Sequence, residues 1–254
     1  MMREGVIMDN EKLVIRVEDG VPSDEALALS EITGAPLCDA SSDSLAVVFG
    51  ANGVSLSCGR MSFCGDFAQM LRRLTGGHIQ HEMLAHIAKT NEPHPTAVDA
   101  TAGMGEDSIV FAACGYEVTM FEQNPVIALL LRDAMRRAAS EPELEPIISR
   151  MHLIEGDSIA LMPKLGFAPD LVYLDPMFPA RQKSGLINKK LQLIQKLEHP
   201  CVEEAALFDA ALALGPKKLV IKRPLKGGFL AEKKPHYTIN GKAIRYDCFA
   251  FPNN

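Results

Sequence analysis

No run of about 18 apolar residues occurs in the sequence, so no segment is long enough to span a bilayer as a helix, and no membrane partner is expected. The opening stretch, MMREGVIMDNEKLVIRVEDG, breaks its apolar residues with acids and lacks a signal-peptide core, which sets the expectation of a cytoplasmic protein. Disulfide and zinc frameworks are missing too. The six cysteines (Cys38, Cys58, Cys64, Cys114, Cys201 and Cys248) form no C-x-x-C pair and have no histidine at finger spacing. They read as reduced, mostly buried thiols. The stretch GGHIQHEMLAH holds a His-Glu pair but not the second histidine of a zinc-protease helix, so no metal is expected. Overall positive charge is also lacking: the net charge is −6, which argues weakly against a nucleic-acid partner.

What is present suffices for a sizeable core. The chain has 254 residues, 47% hydrophobic and 23% charged, which suits one medium domain with an appendage. The charge is unevenly spread. Between Arg181 and Lys234 twelve Lys and Arg face five Asp and Glu, a local excess of +7 in an acidic chain. Such a split fits a phosphate-contacting face, or simply a solvated surface.

Residues 1 to about 90 carry short β-like runs, KLVIRV, SLAVVFG and GVSLS, the last two joined by the turn signal ANG, then the helical DFAQMLRRL. They are expected to form a small α/β appendage, 1–90, before a larger domain, 91–254. From Thr96 strands and helices alternate: TAVDA, DSIVFAACG, EVTMFE, PVIALLLRDAMRRAA with Pro125 in its first turn, MHLIEGD, DLVYLD, EEAALFDAALAL and KKLVIKRP. This implies an α/β fold with a mostly parallel, doubly wound, Rossmann-like sheet. Asn240-Gly241, between HYTIN and AIRYDCFAF, predicts a closing antiparallel hairpin.

Ligands of such sheets sit beyond the carboxyl ends of the strands. There the sequence reads DATAGMGEDS, Asp99 to Ser108, with Gly103 and Gly105 allowing close backbone approach. The third glycine of a dinucleotide fingerprint is absent. Glu106 and Asp107 open the following helix, satisfy its dipole and would repel a pyrophosphate. A ligand with a positive centre and no phosphate fits better, and S-adenosylmethionine is one. Glu122 ends the second strand, where an acid can accept ribose hydroxyls. Asp157, after the third, can accept an adenine amine or cap a helix. Asp175 follows the fourth strand in YLDPMFPARQKSG. Asp175 and the carbonyl of Pro176 can accept the two hydrogens of an amine aimed at a methyl group, and Phe178 can stack on a base taken out of its helix. This corner does not separate a base amine from a glutamine amide, so a DNA or protein acceptor stays open beside RNA.

The ordered motifs VDATAGMGED, FEQNP, LVYLDPMFPARQKSGLINKK, VIKRP and IRYDCFAF resemble those of the ribosomal small-subunit methyltransferase J family, from about Asp66 to the C-terminus. The resemblance implies a class I methyltransferase fold. It also implies transfer of a methyl group to the N2 amine of a guanine near the 3′ end of 16S rRNA, presented naked or in the small ribosomal subunit. S-adenosylmethionine would be held by Asp99, Gly103, Gly105, Glu106, Asp107, Glu122, Asp157 and Asp175. Asp175, Pro176 and Phe178 would form the amine-binding corner. Arg181, Lys183, Lys189 and Lys190 are expected to contact rRNA phosphates, with Lys222 and Arg223 of the K-R-P motif. Glu106 stands where the family often has arginine. Nothing in the sequence specifies an oligomeric state.

Overall fold

The computed structural model describes residues 13–21, 24–38, 44–176, 189–194, 196–197 and 203–251. Two sheets organise them. The smaller has four strands in the order β1 (Val14–Val17), β2 (Ala46–Gly50), β3 (Gly53–Cys58) and β4 (Met61–Phe63). Here β1 runs parallel to β2, while β2–β3 is the hairpin that the ANG turn predicts. Helix α1 (Asp24–Thr33) supplies the crossover between β1 and β2. Its sequence gives little periodic signal, and neither α1 nor β4 was foreseen.

Short helices α2 (Leu71–Leu74) and α3 (Met83–Ile87) follow. They bury Leu74, Leu84 and Ile87 in the same cluster as Ile109, Phe111 and Tyr173, against one face of the larger sheet. That sheet alternates with helices: β5 (Thr96–Asp99), α4 (Ser108–Ala113), β6 (Glu117–Glu122), α5 (Pro125–Ala138), α6 (Glu145–Ile148), β7 (Met151–Glu155), α7 (Ser158–Leu161) and β8 (Leu171–Leu174). The chain continues through α8 (Lys189–Ile194), α9 (Glu204–Ala213), β9 (Lys218–Pro224), β10 (Tyr237–Asn240) and β11 (Ile244–Ala250). The order across the sheet is β10-β11-β9-β8-β5-β6-β7, with β11 antiparallel to both neighbours and the run β9-β8-β5-β6-β7 parallel.

Near-continuous apolar runs make this possible, because strands with helices on both faces must be apolar on both. In β8 all four residues are buried. Tyr173 turns to the α4 face, while Val172 and Leu174 join the α9 face. Helix α5 packs against both sheets. Asn124 caps it by accepting from the backbone of Val126 and Ile127, and Pro125 fixes its first turn. Val126, Ile127, Leu129 and Leu130 face the small sheet. Asp133, 3% exposed at its side chain, accepts from Val54 N at 3.0 Å and pairs with Arg136 and Arg137. Among the described residues no helix is long and apolar enough to cross a membrane.

Candidate active site

The loop after β5 is held from below by two acids. Asp99, 1% exposed, accepts from Ser108 Oγ at 2.5 Å and from Thr101 N at 3.0 Å. Burial pushes its carboxyl up to about 7, against those two hydrogen bonds. Glu122 uses both oxygens on backbone: Oε2 accepts from Gly103 N at 2.9 Å and Oε1 from Asn124 N at 2.7 Å. Burial raises its carboxyl, and the backbone donors pull it back. These acids therefore fold the loop over the strand ends.

Both loop glycines take left-handed backbone, with φ of +53° at Gly103 and +71° at Gly105. A Cβ on Gly105 would meet Leu131 Cδ1 at 2.8 Å, so this glycine lets the loop pack on α5. A Cβ on Gly103 would meet nothing within 4 Å, so this one faces open space. Glu106 is exposed beside it. Asp157 caps α7, accepting from Ile159 N at 2.9 Å, one of the two roles the sequence left open for it.

Asp107 does not satisfy the dipole of α4, contrary to the sequence expectation. It occupies the cap position without a capping hydrogen bond. Its Oδ2 instead accepts from Tyr173 Oη at 2.6 Å and from Lys222 Nζ at 2.7 Å. The same ammonium lies 2.8 Å from Asp175 Oδ2. Lys222 thus bridges two carboxylates at the end of β8 and β9. Burial works against its charge, but Asp107 and Asp175 outweigh that and hold the ammonium well above its ordinary value. Burial raises the Asp175 carboxyl, Lys222 pulls it down and Asp107 pushes it up. The Asp175 side chain keeps 33% of its surface exposed, so it is flanked by protein yet reachable from solvent. The backbone N–H of Asp175 donates to Thr101 Oγ1 at 2.6 Å, tying β8 to the glycine loop.

Lys222 and Arg223 are consequently not surface cations. The correction follows from strand alternation, which sends neighbours to opposite faces. Lys222 shares a face with Tyr173 and Asp175. Arg223, 6% exposed, turns to the α9 side, donates to Gly228 O at 2.9 Å and pairs with Glu204 at 3.3 Å. Pro176 is buried directly after Asp175. Phe178, Arg181 and Lys183 lie outside the described residues, as do the side chains of Lys189 and Lys190 at the start of α8. The sequence reading missed Thr101 and Tyr173 as members of the cluster. The alternation of Tyr173 with Asp175 was the available signal for Tyr173.

The donor set fits S-adenosylmethionine. The site offers acids at or just past the ends of four strands, Asp99, Glu122, Asp157 and Asp175, and a glycine facing open space. Comparison with known proteins agrees. Residues 41–251 match the family model for SAM-dependent methyltransferases. Ribosomal RNA small subunit methyltransferase J of Aeromonas salmonicida is 41% identical over 179 residues, covering 70% of this chain and 72% of that protein. The protein of that name from Pseudomonas aeruginosa strain UCBPP-PA14 is 41% identical over 194 residues, covering 76% and 70%. The crystal structure of a SAM-dependent methyltransferase from Neisseria gonorrhoeae is similar with a TM-score of 0.70 and 32% identity, over 93% of this chain and 95% of that one. By fold, by motif order and by these likenesses, the chain belongs to the ribosomal RNA small subunit methyltransferase J family of S-adenosylmethionine-dependent methyltransferases.

Proposed function

We propose that the protein methylates the N2 amine of a guanine in 16S rRNA, naked or within the small ribosomal subunit, in the cytoplasm. The names of the relatives support the substrate class. The observation that carries the chemistry is the placement of Asp175 beside the glycine loop, with Lys222 on one of its oxygens.

Glu122, Asp157 and the backbone at Gly103 and Gly105 would hold the methyl donor, with Asp99 setting the loop from beneath and Glu106 and Asp107 at its far side. When bound, the donor supplies a methyl group on a positively charged sulfur. An exocyclic base amine is a weak nucleophile because its lone pair is drawn into the ring. Asp175 Oδ1 and the carbonyl of Pro176 accept the two amine hydrogens and point that lone pair at the methyl group. One N–C bond forms, one S–C bond breaks, and the proton shed by nitrogen passes to Asp175. Phe178 stacks on the base. Arg181, Lys183, Lys189 and Lys190 contact phosphates around it.

Methyl transfer from labelled donor to unmodified small-subunit rRNA tests this, with Asp175→Ala as the control. Removal of one acceptor is expected to slow transfer by about 10²–10³-fold and to leave donor binding largely intact. Full activity in that variant would overturn the mechanism.

A further inference from the structure

The segment after β9 is built by two buried arginines. The Arg245 guanidinium, 7% exposed, lies within hydrogen-bond distance of four backbone carbonyls: Pro224 and Leu225 at 3.1 Å, Gly227 at 2.8 Å and Gly228 at 3.2 Å. Arg223 takes Gly228 O from the side. Asp247 balances Arg245 with contacts of 2.8 and 3.1 Å. A tight turn closes between Gly227 N and Pro224 O at 2.8 Å. Beyond it Ala231 and Glu232, neither of them glycine, adopt left-handed backbone, and Glu204 holds Ala231 N at 3.1 Å.

What it presents is specific. Lys226 is exposed at its apex, and Phe229 is 38% exposed, with the Arg245 guanidinium 5.1 Å from its ring centre. Leu225 N donates to Ala243 O at 3.0 Å, which joins this loop to the β10–β11 turn, where Lys242 is exposed. Ile244 pairs with Pro224, so both turns rise from one edge of the sheet. It is the edge that holds Asp175: Pro224 lies two residues past Lys222, about 7 Å along the strand.

We infer that the joined turns 224–229 and 241–243 form a second RNA-contact surface beside the methyl-transfer corner. Phe229 stacks on an unpaired base, and Lys226 and Lys242 pair with phosphates next to the target nucleotide. This rests on the rRNA reading above. A fixed ring flanked by cations is the combination that single strands require, since every base offers a π-face and every nucleotide a phosphate. Two internal arginines spent on shaping the loop, with lysines outside, separate scaffold from contact.

The test uses the full chain with protein-free small-subunit rRNA and with assembled subunits, over a range of salt. All altered side chains are exposed, so thermal stability checks that each variant folds. Phe229→Ala is expected to weaken RNA binding by roughly 5–150-fold. Lys226→Glu with Lys242→Glu should reduce the dependence of log K on log salt by about 0.7 for each lost phosphate contact. Donor affinity, by calorimetry, should stay unchanged in both. Wild-type affinity and slope in the variants would overturn the surface and leave the methyltransferase reading standing. Weakened binding of subunits alone, with rRNA binding intact, would assign the loop to a ribosomal protein and equally overturn it. A wild-type protein that binds donor but neither rRNA nor subunits would remove both readings together.

Discussion

Replacing Lys222 with methionine keeps the aliphatic stem and removes only the ammonium between Asp107 and Asp175. The two contacts are 2.7 and 2.8 Å, and the three side chains are 24–33% exposed. A fully buried pair loses about 3–5 kcal/mol when one partner goes, and an exposed pair about 0.2–1 kcal/mol. The intermediate exposure places the cost at about 2 kcal/mol, a fall in Tm of roughly 4–8 °C for a chain of this size. The sharper signature is in pH. Asp175 must be ionised to take the proton that the amine sheds. Burial raises its pKa and Lys222 lowers it, while Asp107 adds to the rise. Tyr173 and Tyr246, both held protonated by burial, supply no positive charge to replace the ammonium, and Arg223 lowers the Asp175 carboxyl only from the far face. Without Lys222 the acid limb of the pH–rate profile should therefore move to higher pH. Transfer should be restored on raising pH, and Lys222→Arg should keep most of the wild-type limb. The assay is labelled methyl transfer at saturating donor across pH, with donor affinity measured separately. A uniform loss of rate at every pH, with an unmoved limb, would refute the electrostatic role.

Other outcomes follow from the same geometry. Gly103→Ala and Gly105→Ala each carry a left-handed backbone cost of about 1–2 kcal/mol. Only Gly105→Ala also drives a Cβ to 2.8 Å from Leu131, so it should show the larger fall in Tm. Gly103→Ala should weaken donor binding at the smaller structural cost, as calorimetry would report. Asp99 has a folded-state pKa of about 7 against an ordinary 3.8, so the native state holds a proton there that the unfolded state has lost. Its contribution to stability is fully present below about 4 and falls as pH rises to about 7. Asp99→Asn should accordingly gain Tm relative to wild type across that window. Asp133→Ala removes the acceptor for Val54 N and leaves Arg137 without its partner carboxylate. A loss of about 2–4 kcal/mol is expected, with faster amide exchange in β2 and β3 than in β5.

The sequence was most informative where one period and one environment coincide. The runs TAVDA, EVTMFE and DLVYLD are apolar on both faces because helices cover both, and Asn240-Gly241 forms the hairpin it predicts, with Asn240 opposite Arg245. Helix α1 was not legible: its exposed Leu27 and Ile32 blur the amphipathic pattern, and its place is set by a parallel β1–β2 pairing that no local signal encodes. Glu122, Gly103 and Asp175 stand out in the sequence because residue type and strand-end position agree, and the structure brings them to one end of the sheet. Lys222 and Arg223 were misplaced because a basic pair reads as surface. A strand separates such neighbours, and the acids that face each of them come from distant parts of the chain. The anchoring role of Arg245 was invisible for the same reason, since its partners are carbonyls of a loop seventeen to twenty-one residues away.

The most direct measurement is to digest small-subunit rRNA after incubation with the protein and labelled S-adenosylmethionine, and to identify the labelled nucleoside. Label in N2-methylguanosine, at a single site and absent with Asp175→Ala, is the predicted result. Label in another nucleoside, or none in rRNA or subunits from a protein that binds the donor, would contradict the account.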